Sequence, residues 1–324
     1  YAQTQFLTGR DVDFVYFGGG TPSYLSGHQI MSLAERAEPL IGWHKLREIS
    51  FEAEPGTLNL EKLTAIKQIG TSRLSLGIES FSDQVLEANN RAHLQRHVLN
   101  AYDMARNVGF SQINVDLIAG LPGETDASWD AGIQKIIQLK VDSVTIYQLE
   151  TPRNTTLYQQ LQRPAPGAPS PLSLTTKRQW VKRAFEMLND AGYTLTSAYT
   201  AVRDPESHVF LYRDALWHGA DLLALGVASF GHFADSLYQN EKDFGRYIEK
   251  IEMRNPAIQR AHILSQDESL IRQLILQLKL GHISLDYFMN EFGVAIKARF
   301  KSQFEALEHD GLVQITDDTI TLGR

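Results

Sequence analysis

No cysteine occurs among the 324 residues, so disulfides and thiolate metal sites within this chain are excluded. Long apolar runs are missing too: nothing approaches the roughly 18 consecutive apolar residues of a membrane-spanning helix. Positive charge is not in excess. With 31 Lys and Arg against 38 Asp and Glu, the net charge is −7, which offers no basic stripe to nucleic acid or an anionic membrane surface. The opening Tyr1-Ala2-Gln3-Thr4 lacks the basic region and apolar core of a signal peptide, and a cytoplasmic protein is expected. Neither a Walker phosphate loop nor a Gly-x-Gly-x-x-Gly dinucleotide fingerprint is present. The ten histidines are scattered without a His-Glu-x-x-His pair or other ligand spacing. His232, beside Gly231, is the one candidate base or haem ligand among them.

What is present is an alternation. Short apolar or β-branched runs at Val12–Phe17, Ile49–Ala53, Arg73–Leu76, Ile113–Ile118, Val144–Gln148 and Leu195–Ala198 predict strands. Amphipathic stretches at Gln29–Glu38, Leu60–Ile69, His97–Val108 and Arg178–Ala191 predict helices between them. Strand starts roughly 25 to 50 residues apart are the spacing of βα units in a parallel sheet or barrel. Gly70, Gly109 and Gly192 each follow a helix pattern, where a left-handed C′ residue is wanted. Gln162–Ser173 is rich in Pro, Gly and Ser and predicts a surface loop. After Phe244 the texture changes. From Asp267 the chain reads as helices followed by two strand patterns at Gly311–Ile315 and Asp318–Leu322, joined by Thr316-Asp317, which look like a winged-helix unit. Two domains are expected, 1–245 and 246–324.

Parallel βα barrels place their chemistry at the carboxyl ends of the strands. The same places here hold Gly18–Thr21, Glu52, Glu54, Glu79, Asp116 and Glu150. Three glycines in a row let backbone approach a ligand closely and present its N–H and C=O groups. On the glycines alone, a cofactor loop and a tight strand-to-helix turn both remain open. The acids read equally as ligand groups or as solvated loop residues. Asp116, between Val115 and Leu117, emerges from an apolar strand, and an acid there needs a partner.

Five motifs in order resemble the radical S-adenosylmethionine (SAM) enzymes, in the branch around oxygen-independent coproporphyrinogen III oxidase. Phe17–Ser23 (FGGGTPS) looks like the GGGTP loop of that branch. Phe51-Glu52-Ala53-Glu54-Pro55 is similar to its strand ending in Glu-x-Asn/Asp-Pro. Arg73–Phe81 (RLSLGIESF) looks like R-(I/L)-S-x-G-V-Q-S-F, Asn90-Arg91 matches the following Asn/Gly-Arg pair, and Asn114–Pro122 (NVDLIAGLP) is similar to N-x-D-L-I-x-G-L-P. The resemblance implies an α/β fold: a partial (β/α)6 TIM-like barrel with a small C-terminal helical, winged-helix-like domain that covers the substrate. It implies that Gly19, Gly20 and Thr21 contact the methionyl amino group of SAM, that Glu52 binds its polar groups, that Arg91 pairs with its carboxylate and that Asp116 holds the ribose. Glu79 stands beside them where the family usually has Gln, adding a charge near the cofactor.

The family's [4Fe-4S] cluster is held by a Cys-x3-Cys-x2-Cys loop upstream of the glycines. Only sixteen residues precede Phe17, so the expectation is a chain that begins after that loop, with the cluster present only in the intact protein and no activity without it. The implied function is a radical SAM oxidoreductase of tetrapyrrole metabolism acting through a 5′-deoxyadenosyl radical, with an electron donor such as flavodoxin or ferredoxin as partner. Two related alternatives are a radical SAM C-methyltransferase or related carbon–carbon bond-forming enzyme, and a non-enzymatic haem chaperone on the same barrel. The chaperone's His-Asn-x-x-Tyr-Trp stretch is replaced by His208–Tyr212. Outside the family, Glu52, Glu79 and Asp116 could serve as oxygen ligands of a divalent metal. Leu222–His232 resembles the family's L-G-x-G-x-x-(A/S) loop. Tyr199, Arg203, Tyr238, Gln239 and Asn240 are candidates on the substrate side, and Arg153, Arg203 and Arg213 for anionic propionates.

Overall fold

The computed structural model describes residues 11–153, 158–159 and 172–323. Most of the predicted proline-rich loop therefore lies outside the described residues. The chain divides into two compact units, Asp13–Phe210 without residues 40–42 and, in the main, Leu211–Arg324.

The first unit is built on a seven-stranded sheet. Strands β1 (Phe14–Phe17), β2 (Glu48–Ala53), β3 (Arg73–Glu79), β4 (Gln112–Ala119) and β5 (Ser143–Gln148) lie side by side in sequence order, all parallel. Each connection carries a helix, the condition for parallel neighbours: α1 (Gly27–Ile41), α2 (Leu60–Gln68), α3 (Asp83–Ala88) with α4 (Gln95–Val108), α5 (Asp126–Leu139), and α6 (Leu174–Asp190) after β5. Asn59, Ser82, Thr125 and Ser173 cap their helices by accepting a backbone N–H three residues on. Gly70, Gly109 and Gly192 take the left-handed conformation expected of them, φ 89°, 85° and 87°.

The two faces of the sheet differ in kind. Phe51, Leu74, Leu76, Ile113, Val115, Val144 and Ile146 on one face are buried, as are Leu63, Ile66, Ala101, Ala105, Ile133, Ile136 and Leu188 from the helices. The period of two then puts Tyr16, Ser50, Glu52, Arg73, Ser75, Asn114, Asp116, Ser143 and Thr145 together on the opposite face, with Glu52 level with Ser75, Ser75 with Asn114, and Asp116 with Thr145. This lane is polar where a barrel interior is ordinarily filled by branched apolar residues.

The predicted sixth strand needs a correction. Leu195–Ala198 is not one parallel strand. Instead β6 (Thr194–Leu195) turns back into β7 (Thr200–Val202), and β7 pairs antiparallel with both β5 and β6. The turn is too short for a parallel crossover and is closed by Thr196 N–H on the Thr200 carbonyl at 2.9 Å. Ser197 Oγ accepts from the N–H groups of Tyr199 and Thr200. The chain still returns through α6 in the parallel sense, one position further out.

In the second unit, β8 (Phe230–Phe233), β9 (Ser236–Asn240) and β10 (Ile258–Ile263) form an antiparallel sheet, with α7 (Leu211–Trp217) before it and α8 (Phe244–Glu252) between β9 and β10. The change of texture expected at residue 245 thus falls inside this sheet. Further on come α9 (Gln266–Leu280), β11 (His282–Ser284), α10 (Leu285–Phe292), α11 (Ile296–Arg299), α12 (Lys301–His309), β12 (Val313–Ile315) and β13 (Thr319–Leu322). The predicted wing is present: β12 and β13 pair antiparallel, and β11 adds a third strand on the other side of β13. Leu270, Ile283, Phe288, Ile296, Phe304, Val313 and Ile320 make its core. No helix among the described residues is long and apolar enough to cross a membrane.

Candidate functional site

The carboxyl ends of β1 to β4 carry the predicted residues. After β1 the chain enters Gly18-Gly19-Gly20. A Cβ at Gly18 would overlap the Tyr16 ring and meet the Glu52 carboxylate, and Gly19 and Gly20 sit at φ 74° and 64° with open space where a side chain would be. Only glycine fits such a run without strain. The backbone is thereby bare toward solvent, with Gly19 N–H donating to Glu52 Oε2 at 3.3 Å. Glu52 also accepts from the Tyr16 hydroxyl. Burial, and then the Glu52 charge, push Tyr16 far above its ordinary pKa, so it remains a donor.

Thr21 opens a short 3₁₀ turn, its carbonyl accepting from Tyr24 N at 3.0 Å. Ser23 closes the motif from a fully buried position. Its Oγ accepts from Glu54 N at 3.0 Å and lies 2.6 Å from Thr57 Oγ1. Lys62 Nζ donates to the carbonyls of Ser23 and Thr57 at 2.5 and 2.9 Å. The glycine loop is thus tied to the end of β2 and to α2.

Glu79 ends β3 with φ 62°, a conformation rare for a residue with a side chain. Its Oε1 lies 3.6 Å from Arg91 Nη1. Burial pushes Glu79 up to about 7; Arg91 opposes that rise, while Asp116 and Glu54 add to it. Asp116 accepts from Ser75 Oγ at 2.8 Å and Asn114 Nδ2 at 2.9 Å. Asn114 fills its whole capacity of four hydrogen bonds: it also donates to Ser75 Oγ at 2.9 Å and accepts from Ser143 Oγ at 2.8 Å and Thr145 Oγ1 at 3.1 Å. Burial pushes Asp116 above the ordinary carboxylate range, against the Arg73 charge and the Ser75 hydrogen bond. Arg73 is itself buried, its guanidinium 3.7 Å from the Phe210 ring centroid.

Gly19 and Glu52 are therefore in contact, as are Glu79 and Arg91, while Gly20 and Thr21 continue the loop and Asp116 sits in its own ladder. Among the described residues no group of three or more His, Asp or Glu could hold a metal ion, so Glu52, Glu79 and Asp116 do not form the divalent-metal site considered above.

Most of the substrate-side candidates have packing or hydrogen-bond partners within their own unit. Arg203 reaches Asp142 Oδ1 at 3.4 Å, at the amino ends of the strands. Tyr238, Gln239 and Asn240 brace the Leu222–Ser229 loop: Ala224 N donates to Tyr238 Oη at 2.7 Å, and Asn240 Nδ2 to the Ala224 and Gly226 carbonyls at 3.1 and 3.0 Å. Gln239 Nε2 donates to the Ala228 carbonyl at 3.2 Å. Arg213 pairs with Asp214 and lies over Trp217. Tyr199 stacks, tilted, with Tyr147, and Arg153 lies exposed beyond the end of β5. His232 is held below its ordinary pKa by burial and by Arg272.

One residue of the site had no signal in sequence. His93 is completely buried, with Nδ1 on the Glu54 carboxylate and Nε2 3.0 Å from the Ile78 carbonyl. Only the tertiary fold brings these partners together.

Residues 3–136 match the radical SAM superfamily. Over 326 residues the chain is 27% identical to an oxygen-independent coproporphyrinogen III oxidase of Salmonella typhimurium, covering 96% of this chain and 70% of that protein. It is 26% identical over 314 residues to the heme chaperone HemW of Bacillus subtilis, covering 96% of this chain and 82% of the chaperone. Its fold is that of the radical SAM coproporphyrinogen III oxidase (HemN) from Escherichia coli: TM-score 0.80 over 97% of this chain and 75% of the other, at 23% identity.

Proposed function

We propose, for a chain that belongs to the coproporphyrinogen oxidase-like branch of the radical SAM superfamily, that the ends of β1 to β4 bind SAM. The observation that carries this is the bare glycine backbone with Glu52 held at its edge by Tyr16. Glu52 and the carbonyls of Gly19, Gly20 and Thr21 suit the cofactor's ammonium, Arg91 its carboxylate, and Asp116 the ribose diol. When bound, SAM would supply methyl-transfer chemistry, or a radical once its sulfonium takes one electron from an external donor; this chain binds it, orients it and keeps water away. The [4Fe-4S] cluster of the family does not fit these residues, since none is a thiol.

We further propose a tetrapyrrole substrate, an oxidoreductase reaction fed by flavodoxin or ferredoxin, and a cytoplasmic location. Arg153, exposed beyond the carboxyl end of β5, is a candidate cation for an anionic substrate. The near-equal similarity to an oxidase and to a heme chaperone supports keeping the chaperone as a second reading. Calorimetry with SAM tests the site: Asp116→Ala should weaken binding by about 1.5–3 kcal/mol, the scale of a hydrogen bond to a charged group. Equal affinity in wild type and variant removes Asp116 from the site. A haem titration, together with an assay for SAM cleavage, separates chaperone from enzyme.

A further inference from the structure

We propose that His93 is a positioning residue: as a buried, doubly protonated ring it clamps the turn at Glu79 and thereby sets how Glu79 and Arg91 face the cofactor.

The turn comes first. Ser80 N donates to the Ile78 carbonyl at 2.6 Å, a bond across two residues, with Glu79 between them at φ 62°. This is a γ-turn of the positive-φ kind, which is rare and strained. The pairing of β3 with β4 slips at the same place, between Gly77 and Glu79. Such a conformation persists only where its surroundings over-determine it.

His93 supplies that constraint. Its Nε2 reaches the second lone pair of the same Ile78 carbonyl at 3.0 Å, and its Nδ1 meets Glu54. Both partners, a carbonyl and a carboxylate, are acceptors. A neutral imidazole donates from one nitrogen only, so against an ionised Glu54 the arrangement is satisfied in full by the imidazolium. The charged groups facing the ring are Glu54 from the end of β2 and Glu79 from the end of β3. Arg91 lies two residues away on its own segment. Burial works against the charge, but the Glu54 bond, the Ile78 carbonyl and the two carboxylates outweigh it and hold His93 above its ordinary pKa.

One cation thus ties the end of β2, the strained end of β3 and the Asn90–Leu94 segment together. That segment carries Arg91, whose N–H is anchored on the Leu86 carbonyl at 2.9 Å.

The test has two arms, and only the second rests on the SAM reading. Nitrogen NMR of ring-labelled protein should show His93 with both nitrogens protonated at pH 7 and titrating above 6.5. Glu54→Gln, which keeps the ring but removes its counter-charge, should bring the titration down. A single neutral tautomer at pH 7, or a wild-type titration at or below 6.5, overturns the proposal.

In the second arm, the pH dependence of wild-type SAM affinity between pH 6 and 8 should be that of Glu79 alone, while the affinity of Glu54→Gln should fall further as pH rises through the lowered His93 pKa. His93→Gln, neutral at every pH, should bind about tenfold more weakly, the scale of one charge-assisted hydrogen bond, with no pH dependence from this site. Wild-type affinity in both variants overturns the positioning role. Absence of SAM binding by the wild type refutes the proposed function instead, and leaves the NMR arm to decide the state of His93.

Discussion

The two ends of the seven-stranded sheet hold buried acids in opposite states. At the amino ends, Asp142 accepts from Arg106 Nη1 and Nη2 at 2.7 and 2.9 Å, from Ile113 N at 2.9 Å and from Arg203 at 3.4 Å. Burial opposes its charge, yet the Arg106 and Ile113 hydrogen bonds hold it below the ordinary carboxylate range. At the carboxyl ends, burial drives Glu79 and Asp116 up, and their donors do not compensate. Glu124, bonded to Gly120 N at 3.0 Å, is likewise pushed up to about 7 by burial. A carboxylate neutralised by two arginines holds the fold; acids held mostly by neutral donors are where a ligand's charges and hydroxyls are wanted.

Breaking the satisfied end should have the largest effect. Asp142→Ala strands Arg106 and the Ile113 N–H, and should cost about 3 kcal/mol in stability, read by denaturant unfolding. SAM affinity of the folded variant should be unchanged. An affinity loss as large as that of Asp116→Ala would erase the distinction between the two ends.

At the unsatisfied end the sign reverses. The folded-state pKa of Glu79, about 7, lies above its ordinary 4.5, so the folded chain keeps a proton that the unfolded chain releases. Its contribution to stability is therefore present at low pH, declines between about 4.5 and 7, and is level above. Glu79→Gln should make that decline shallower and raise stability at pH 8 by roughly 2 kcal/mol. Glu124, shifted in the same direction, keeps the decline from vanishing. Unchanged slopes in pH-dependent unfolding would place the Glu79 carboxyl in water. The smallest effect belongs to the loop's tether: Ser23→Ala loses the bond to Glu54 N, about 1 kcal/mol by thermal unfolding.

Strand ends and helix faces were legible because they follow from local period and spacing. β1 to β5 fall where their apolar runs predict, and the acids at their carboxyl ends follow at once. Glu52 and Asp116 were therefore visible as candidates. What the sequence hid depends on contacts between distant residues. His93 lies 39 positions from Glu54 and 15 from Ile78, and no local pattern marks such a pair. Asp142 reads as an ordinary loop acid until Arg106 and Arg203 are folded around it. The inserted strand β7 escaped because three residues carry too little period to separate from the run before them, and the same holds for β11.

The Asn114 ladder has a bearing on how the sheet assembles. Its four hydrogen bonds reach β3, β4 and β5 at once, so they form together only when all three strands are aligned. A slip of β4 by one residue would bring Ile113 or Val115 opposite Ser75 and Ser143, leaving hydroxyls against hydrocarbon. The apolar face tolerates some misalignment, since one branched side chain can stand in for another. The polar lane does not, and it acts as an error check on strand pairing during folding.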